Sequence, residues 1–173
     1  MESWGYRKDE DYYSLRYLTS SIDKYRARDA NYLLNVGPTG DGVIAPAPTA
    51  ILHSIGAWYK PVRESFHDAV PVSALAANRD VLLTRKGNSL YVHLYQPPAG
   101  QEVLLRPLAI APQRATLLND GRLVEWQLDI APMEWTYNQP YLRLHRLPVD
   151  EFAGTTMVVR LDFANLDSLG PKA

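Results

Sequence analysis

Apolar side chains recur at Leu15, Leu18, Ile22 and Tyr25. Those spacings line up one face of a helix. Ser14 stands immediately before them as an N-cap, and the positions between (Arg16, Asp23, Lys24, Arg26) are predicted to face water. Next comes Tyr32-Leu33-Leu34-Asn35-Val36, a nearly continuous apolar run closed by Gly37-Pro38. Such a run, apolar on both faces, reads as a buried parallel strand. A loop through Gly40-Asp41-Gly42 leads to a second helical stripe at Ile51, Ile55, Trp58 and Val62. Pro46 and Pro48 suit its first turn, and Pro61 is predicted to interrupt its last one.

The pattern changes near Phe66 to Pro71, after which apolar positions alternate in the β manner. Val81 to Thr84 and Leu90 to Tyr95 flank Arg85-Lys86-Gly87-Asn88, a hairpin signal. Ala115 to Leu118 and Leu123 to Leu128 flank Asn119-Asp120-Gly121-Arg122, which predicts a second hairpin. With Val103 to Leu105, Tyr141 to His145 and Thr155 to Phe163, about seven short strands point to a small antiparallel sandwich. The expected fold class is thus α+β, with one unit over residues 1–66 and a β-sandwich over 67–173. Helix, buried strand and helix make only half a turn of a barrel or doubly wound sheet, and a lone parallel strand lacks backbone partners.

Composition narrows the chemistry. Hydrophobic residues are 46% and charged residues 21% of the 173, ample for a core. A net charge of −1 gives no field to gather nucleic acid or an anionic membrane. Without cysteine there is no disulfide or thiolate metal site. No apolar run reaches the roughly 18 residues of a membrane span, and the N-terminus lacks the apolar stretch of a signal peptide, so the compartment stays unknown. His53, His67, His93 and His145 show no metal spacing, and no metal site is expected. The glycines of residues 37–42 lack the Lys-Ser/Thr ending of a phosphate loop. Glu2, Asp9, Glu10 and Asp11 read as solvated loop charges. Alternation puts Tyr91, His93 and Tyr95 on one face of a strand; with Trp126, Trp135, Tyr137 and Tyr141 they suggest either a sugar platform or, more simply, packing.

Three stretches carry a resemblance. Ser3-Trp4-Gly5-Tyr6 precedes the first helix, Asn31-Tyr32-Leu33-Leu34-Asn35-Val36-Gly37-Pro38 is followed by Asp41-Gly42, and Ile55-Gly56-Ala57-Trp58 lies in the second helix. In this order they resemble the end of the catalytic barrel in α-L-fucosidases of glycoside hydrolase family 29. Arg28-Asp29-Ala30 stands where that family usually has a Gly-Gly turn. The resemblance implies that residues 1–66 are the last strand and helices of a (β/α)8 barrel, a fold of about 250 residues when complete. The later region resembles the family's C-terminal sandwich in position and strand pattern only.

The family's retaining chemistry uses a carboxylate nucleophile and a carboxylic acid/base, without a cofactor. Both positions are implied to lie upstream of the Ser-Trp-Gly-Tyr stretch, so no catalytic residue is assigned in this chain. Trp4, and after it Tyr6, are the substrate-binding candidates by resemblance, the indole covering the apolar face of fucose; a tryptophan packed under a loop is the other reading. Asn35 is read as ordering the Gly37-Pro38 turn rather than touching sugar. The expected function is that of a C-terminal fragment of an α-L-fucosidase, inactive alone, whose partner in the whole enzyme is a fucosylated glycan. Apolar helix faces left exposed predict self-association. The alternative is a non-catalytic carbohydrate-binding or interaction module.

Overall fold

The computed structural model describes residues 4–130 and 139–166. Trp135 and Tyr137, with Glu2 and Ser3, lie outside the described residues.

Helix α1 runs Leu15–Arg26, and the Tyr17 amide donates to Ser14 Oγ at 3.2 Å, the cap the sequence predicts. Beyond its C-terminus Asp29 takes a φ of 56°, the left-handed conformation that glycine adopts at least cost and aspartate tolerates. Helix α2 runs Pro46–Val62 with proline in its first turn. Pro61 does not interrupt it. The helix continues to Val62 and a short 3-10 turn over Arg63–Ser65, because a proline this late removes only one backbone donor.

The predicted strand at Tyr32–Val36 is extended but unpaired among the described residues. Its alternation persists: Tyr32, Leu34 and Val36 are half-buried, whereas Asn35 is exposed and Leu33 is 83% exposed. A strand is completed by neighbours that take its backbone hydrogen bonds, and the described residues provide none here.

The β region forms two antiparallel sheets. Strands β1 (Val70–Pro71), β2 (Leu82–Lys86), β3 (Ser89–Leu94), β5 (Arg114–Leu117) and β8 (Met157–Asp162) make one, in the order β1-β2-β3-β8-β5. Strands β4 (Val103–Leu105), β7 (Tyr141–His145) and β6 (Glu125–Asp129) make the other, in the order β4-β7-β6. The β2–β3 hairpin turns at Gly87, φ 57°, as expected. The second predicted hairpin closes but is short, and past it the chain crosses to the other sheet. Its turn forms at Asn119 to Arg122, with Gly121 at φ 80° and a bridge between Thr116 and Leu123. The Leu117 amide donates to the Arg122 carbonyl at 2.9 Å and the Val124 amide to the Ala115 carbonyl at 3.0 Å. The chain then leaves β5: Val124 enters the core, and β6 pairs with β7.

One apolar core draws on both sheets, including Leu90, Val92 and Leu94 from β3, Leu142 and Leu144 from β7, and Val159 and Leu161 from β8. The opposite face of β3 presents Tyr91 and, past its end, Tyr95 to the helices. There they join Ala27, Trp58, Val62, Phe66, Leu82 and Val158 in a second cluster that spans the predicted 66/67 boundary. Strand β3 is therefore buried on both faces. The α+β class with antiparallel sheets is as the sequence predicts.

Candidate functional site

The segment carrying Trp4, Gly5 and Tyr6 crosses the end of the unpaired extended run. The Asn35 Nδ2–H donates to the Trp4 carbonyl at 2.8 Å. This corrects the reading of Asn35 as a residue of its own turn: its side chain reaches 31 residues back along the chain. At Gly37 a Cβ would lie 2.4 Å from the Gly5 carbonyl carbon and 2.5 Å from the Tyr6 nitrogen, so only glycine admits this crossing.

Beside the crossing is a cleft of about 290 Å³ between the N-terminal segment, the extended run and the two helices. Tyr6, Leu34 and Val36 line it together with Leu18, Pro48 and Ile51, so its wall is mostly aliphatic and aromatic. Glu10 and Asp11 stand at it as well, while Asp9 is exposed. Of the two predicted sugar contacts, Tyr6 lines this cleft and is 41% exposed; Trp4 does not line it and is 80% exposed. The tryptophan is not packed under a loop.

A polar seam missed by sequence reading joins α1 to the sheet. Asp23, predicted to face water, is fully buried, because α1 turns this position onto His93 of β3, itself fully buried. His93 Nδ1 lies 2.8 Å from Asp23 Oδ1, and His93 Nε2 lies 2.9 Å from Thr84 Oγ1. The Thr84 hydroxyl donates to the Ser65 carbonyl at 2.8 Å. It must therefore accept from His93 Nε2–H, which leaves one further proton between Nδ1 and Asp23. Arg16, also predicted to face water, is half-buried; its guanidinium donates to the carbonyls of Thr155, Leu94 and Tyr95. Burial pushes that guanidinium down from its ordinary value, and nearby Asp23 pulls it back up. The signal available in the sequence was the alternation placing His93 beside Tyr91 and Tyr95, a face that had to meet something.

His67 meets the Tyr59 hydroxyl at 3.1 Å, and Tyr141 is buried beneath the Arg106 guanidinium at 4.4 Å. Among the described residues no three His, Asp or Glu are grouped to hold a metal ion, and no helix is long and apolar enough to cross a membrane.

The α-L-fucosidase family model matches residues 1–64. Tissue α-L-fucosidase of Bos taurus is 31% identical over 157 residues, covering 88% of this chain and 33% of that protein. Among solved structures, α-L-fucosidase isoenzyme 1 from Paenibacillus thiaminolyticus superposes with a TM-score of 0.72 at 28% identity, over 94% of this chain and 38% of its own. The Thermotoga maritima α-fucosidase in complex with fucose has a TM-score of 0.66 at 21% identity, covering 91% and 36%, and bears on the fold alone. From its motifs and these likenesses, the chain belongs to the α-L-fucosidase family, of whose matched members it spans about a third in length.

Proposed function

We propose that this chain is the closing part of a retaining α-L-fucosidase, with residues 1–66 completing a (β/α)8 barrel and residues 67–173 forming a β-sandwich packed against it. The observation that carries this is the Tyr32–Val36 run, extended, unpaired among the described residues and exposing Leu33 to 83% beside the Trp4–Tyr6 segment. An apolar extended run of this kind is completed by flanking parallel strands that hydrogen-bond both its edges.

In the whole enzyme, two carboxylates about 5–5.5 Å apart would perform the double displacement at the anomeric carbon of fucose. In this reading the rest of the barrel provides them. The role of this chain is to form part of the sugar-binding wall. Trp4 offers its indole face to the apolar C–H surface of fucose, where dispersion and area burial favour binding, and Tyr6 adds a ring and a hydroxyl. The sandwich acts through the helices, because Tyr91, Val158 and the Asp23–His93 pair seat α1 and α2. The likeness to fucosidases extends over most of the chain, sheets included, and does not favour a free-standing sugar-binding module.

The test is turnover of an aryl α-L-fucoside. The purified chain should release no phenol above background, and the chain joined to the preceding barrel of a family member should release it. Turnover by the chain alone would sink this reading. A companion expectation concerns association. With Trp4, Leu33, Val43, Tyr17 and Tyr25 exposed, the isolated chain should sediment as a concentration-dependent mixture. Leu33→Glu should shift it toward monomer, and an unchanged distribution would place the contact elsewhere.

A further inference from the structure

We infer that Asn35 and Gly37 are positioning residues for the sugar-binding wall: together they clamp the Trp4–Tyr6 segment onto the end of the extended run, so the wall is preformed within this chain. The inference rests on the fucosidase reading for the word sugar, but the clamp itself stands on geometry.

Two independent contacts act on one short segment. The first is polar, the Asn35 Nδ2–H bond to the Trp4 carbonyl at 2.8 Å. The second is steric. The hydrogen of Gly37 is all that fits, since the Gly5 carbonyl carbon, Tyr6 nitrogen and Gly5 oxygen lie 2.4, 2.5 and 2.8 Å from where a Cβ would stand. Backbone at that distance cannot yield as the end of a flexible side chain could. The two contacts come from Asn35 and from Gly37 just past the run, two positions apart, and both fall on the Trp4–Tyr6 backbone. The bonded carbonyl belongs to Trp4 itself, and the crowded amide belongs to Tyr6, so both proposed sugar contacts are tied at the backbone. Neither Asn35 nor Gly37 needs to touch the sugar. Their effect is to remove the freedom of an exposed segment that has no regular secondary structure of its own, and a wall ordered beforehand binds more tightly than one ordered on binding.

Nuclear magnetic relaxation of the backbone amides of Trp4, Gly5 and Tyr6, measured on the full 173-residue chain, tests the clamp without reference to catalysis. Asn35→Asp keeps the side-chain shape but, when ionised, has no donor for the Trp4 carbonyl. At neutral pH those amides should become as mobile as a free terminus, while Leu18 and Val62 amides stay rigid. Lowering the pH to protonate the new carboxyl restores an O–H donor and should restore order, whereas the parent chain changes little over the same range. Gly37→Ala should release the segment at every pH. Unchanged order in Asn35→Asp at neutral pH overturns the polar half of the clamp, and unchanged order in Gly37→Ala overturns the steric half.

Fucose titration of the barrel-joined enzyme then tests the link to sugar. Asn35→Asp should weaken fucose binding roughly tenfold, the scale of one hydrogen bond, with KM raised more than kcat is lowered. Loss of order with unchanged fucose affinity overturns the positioning role. A parent enzyme that binds no fucose overturns the fucosidase reading, and with it the sugar role, while the relaxation result still decides the clamp.

Discussion

Asp23→Ala is expected to destabilise the protein by about 3 kcal/mol, the scale seen when one partner of a buried ionisable pair is removed. For a chain of this size that lowers the thermal midpoint by roughly 10 °C. The reason lies in His93. It is fully buried, and its Nε2–H is committed to Thr84, whose own hydroxyl is committed to Ser65. Without Asp23, Nδ1 loses its partner at 2.8 Å and faces a space that neither α1 nor the sheet can fill. Asp23→Asn puts an amide of the same shape in place of the carboxyl, and its N–H can re-form the bond to Nδ1. It should cost about 1 kcal/mol. Paired thermal melts of the two variants decide the matter. Equal, small losses would mean that the pair does not hold α1 on the sheet, and that apolar packing alone seats the helix.

The second large effect belongs to Trp58, which fills the centre of the helix–sheet cluster and is 5% exposed. Trp58→Ala should cost about 4 kcal/mol, within the range for deleting a buried aromatic. Its indole N–H donates to the Thr156 carbonyl at 2.8 Å, but that carbonyl also accepts from Asn119 Nδ2 at 2.9 Å. Trp58→Phe therefore leaves no orphaned acceptor and should cost only about 1 to 2 kcal/mol. Denaturant unfolding followed by far-ultraviolet circular dichroism gives both numbers. If the phenylalanine variant fell as far as the alanine variant, the hydrogen bond rather than ring volume would dominate at this site. Because the tryptophan spans α2 and the segment leading into β8, either outcome also reports how strongly the two halves of the chain stabilise one another.

Much of the architecture was legible residue by residue. Ser14 with the Leu15, Leu18, Ile22, Tyr25 stripe marked α1, because a cap and a 3.6-residue period are local properties. Gly87 between alternating strands marked the first hairpin for the same reason. The second hairpin was legible only as far as Val124: its turn chemistry at Asn119 to Gly121 is local, while the pairing that follows is not, since β6 pairs with β7 of the other sheet. The candidate site was half legible. Trp4 and Tyr6 were reached through resemblance, whereas the link from Asn35 to the Trp4 carbonyl joins residues 31 apart and has no local signature.

What the chain determined by itself, then, is its periodicity: two amphipathic helices, an apolar extended run, alternating strands and the turns between them. These follow from side-chain spacing, from the backbone freedom of glycine and from the fixed φ of proline, which act over a few residues. Tertiary structure alone decided that Asp23 and Arg16 are drawn inward. It also decided that β3 is covered on both faces, that the chain changes sheets at Val124, and that Gly37 lies against Gly5. Each of these depends on what another element presents across space. A charge on a helix faces water until a histidine on a neighbouring strand offers it a partner.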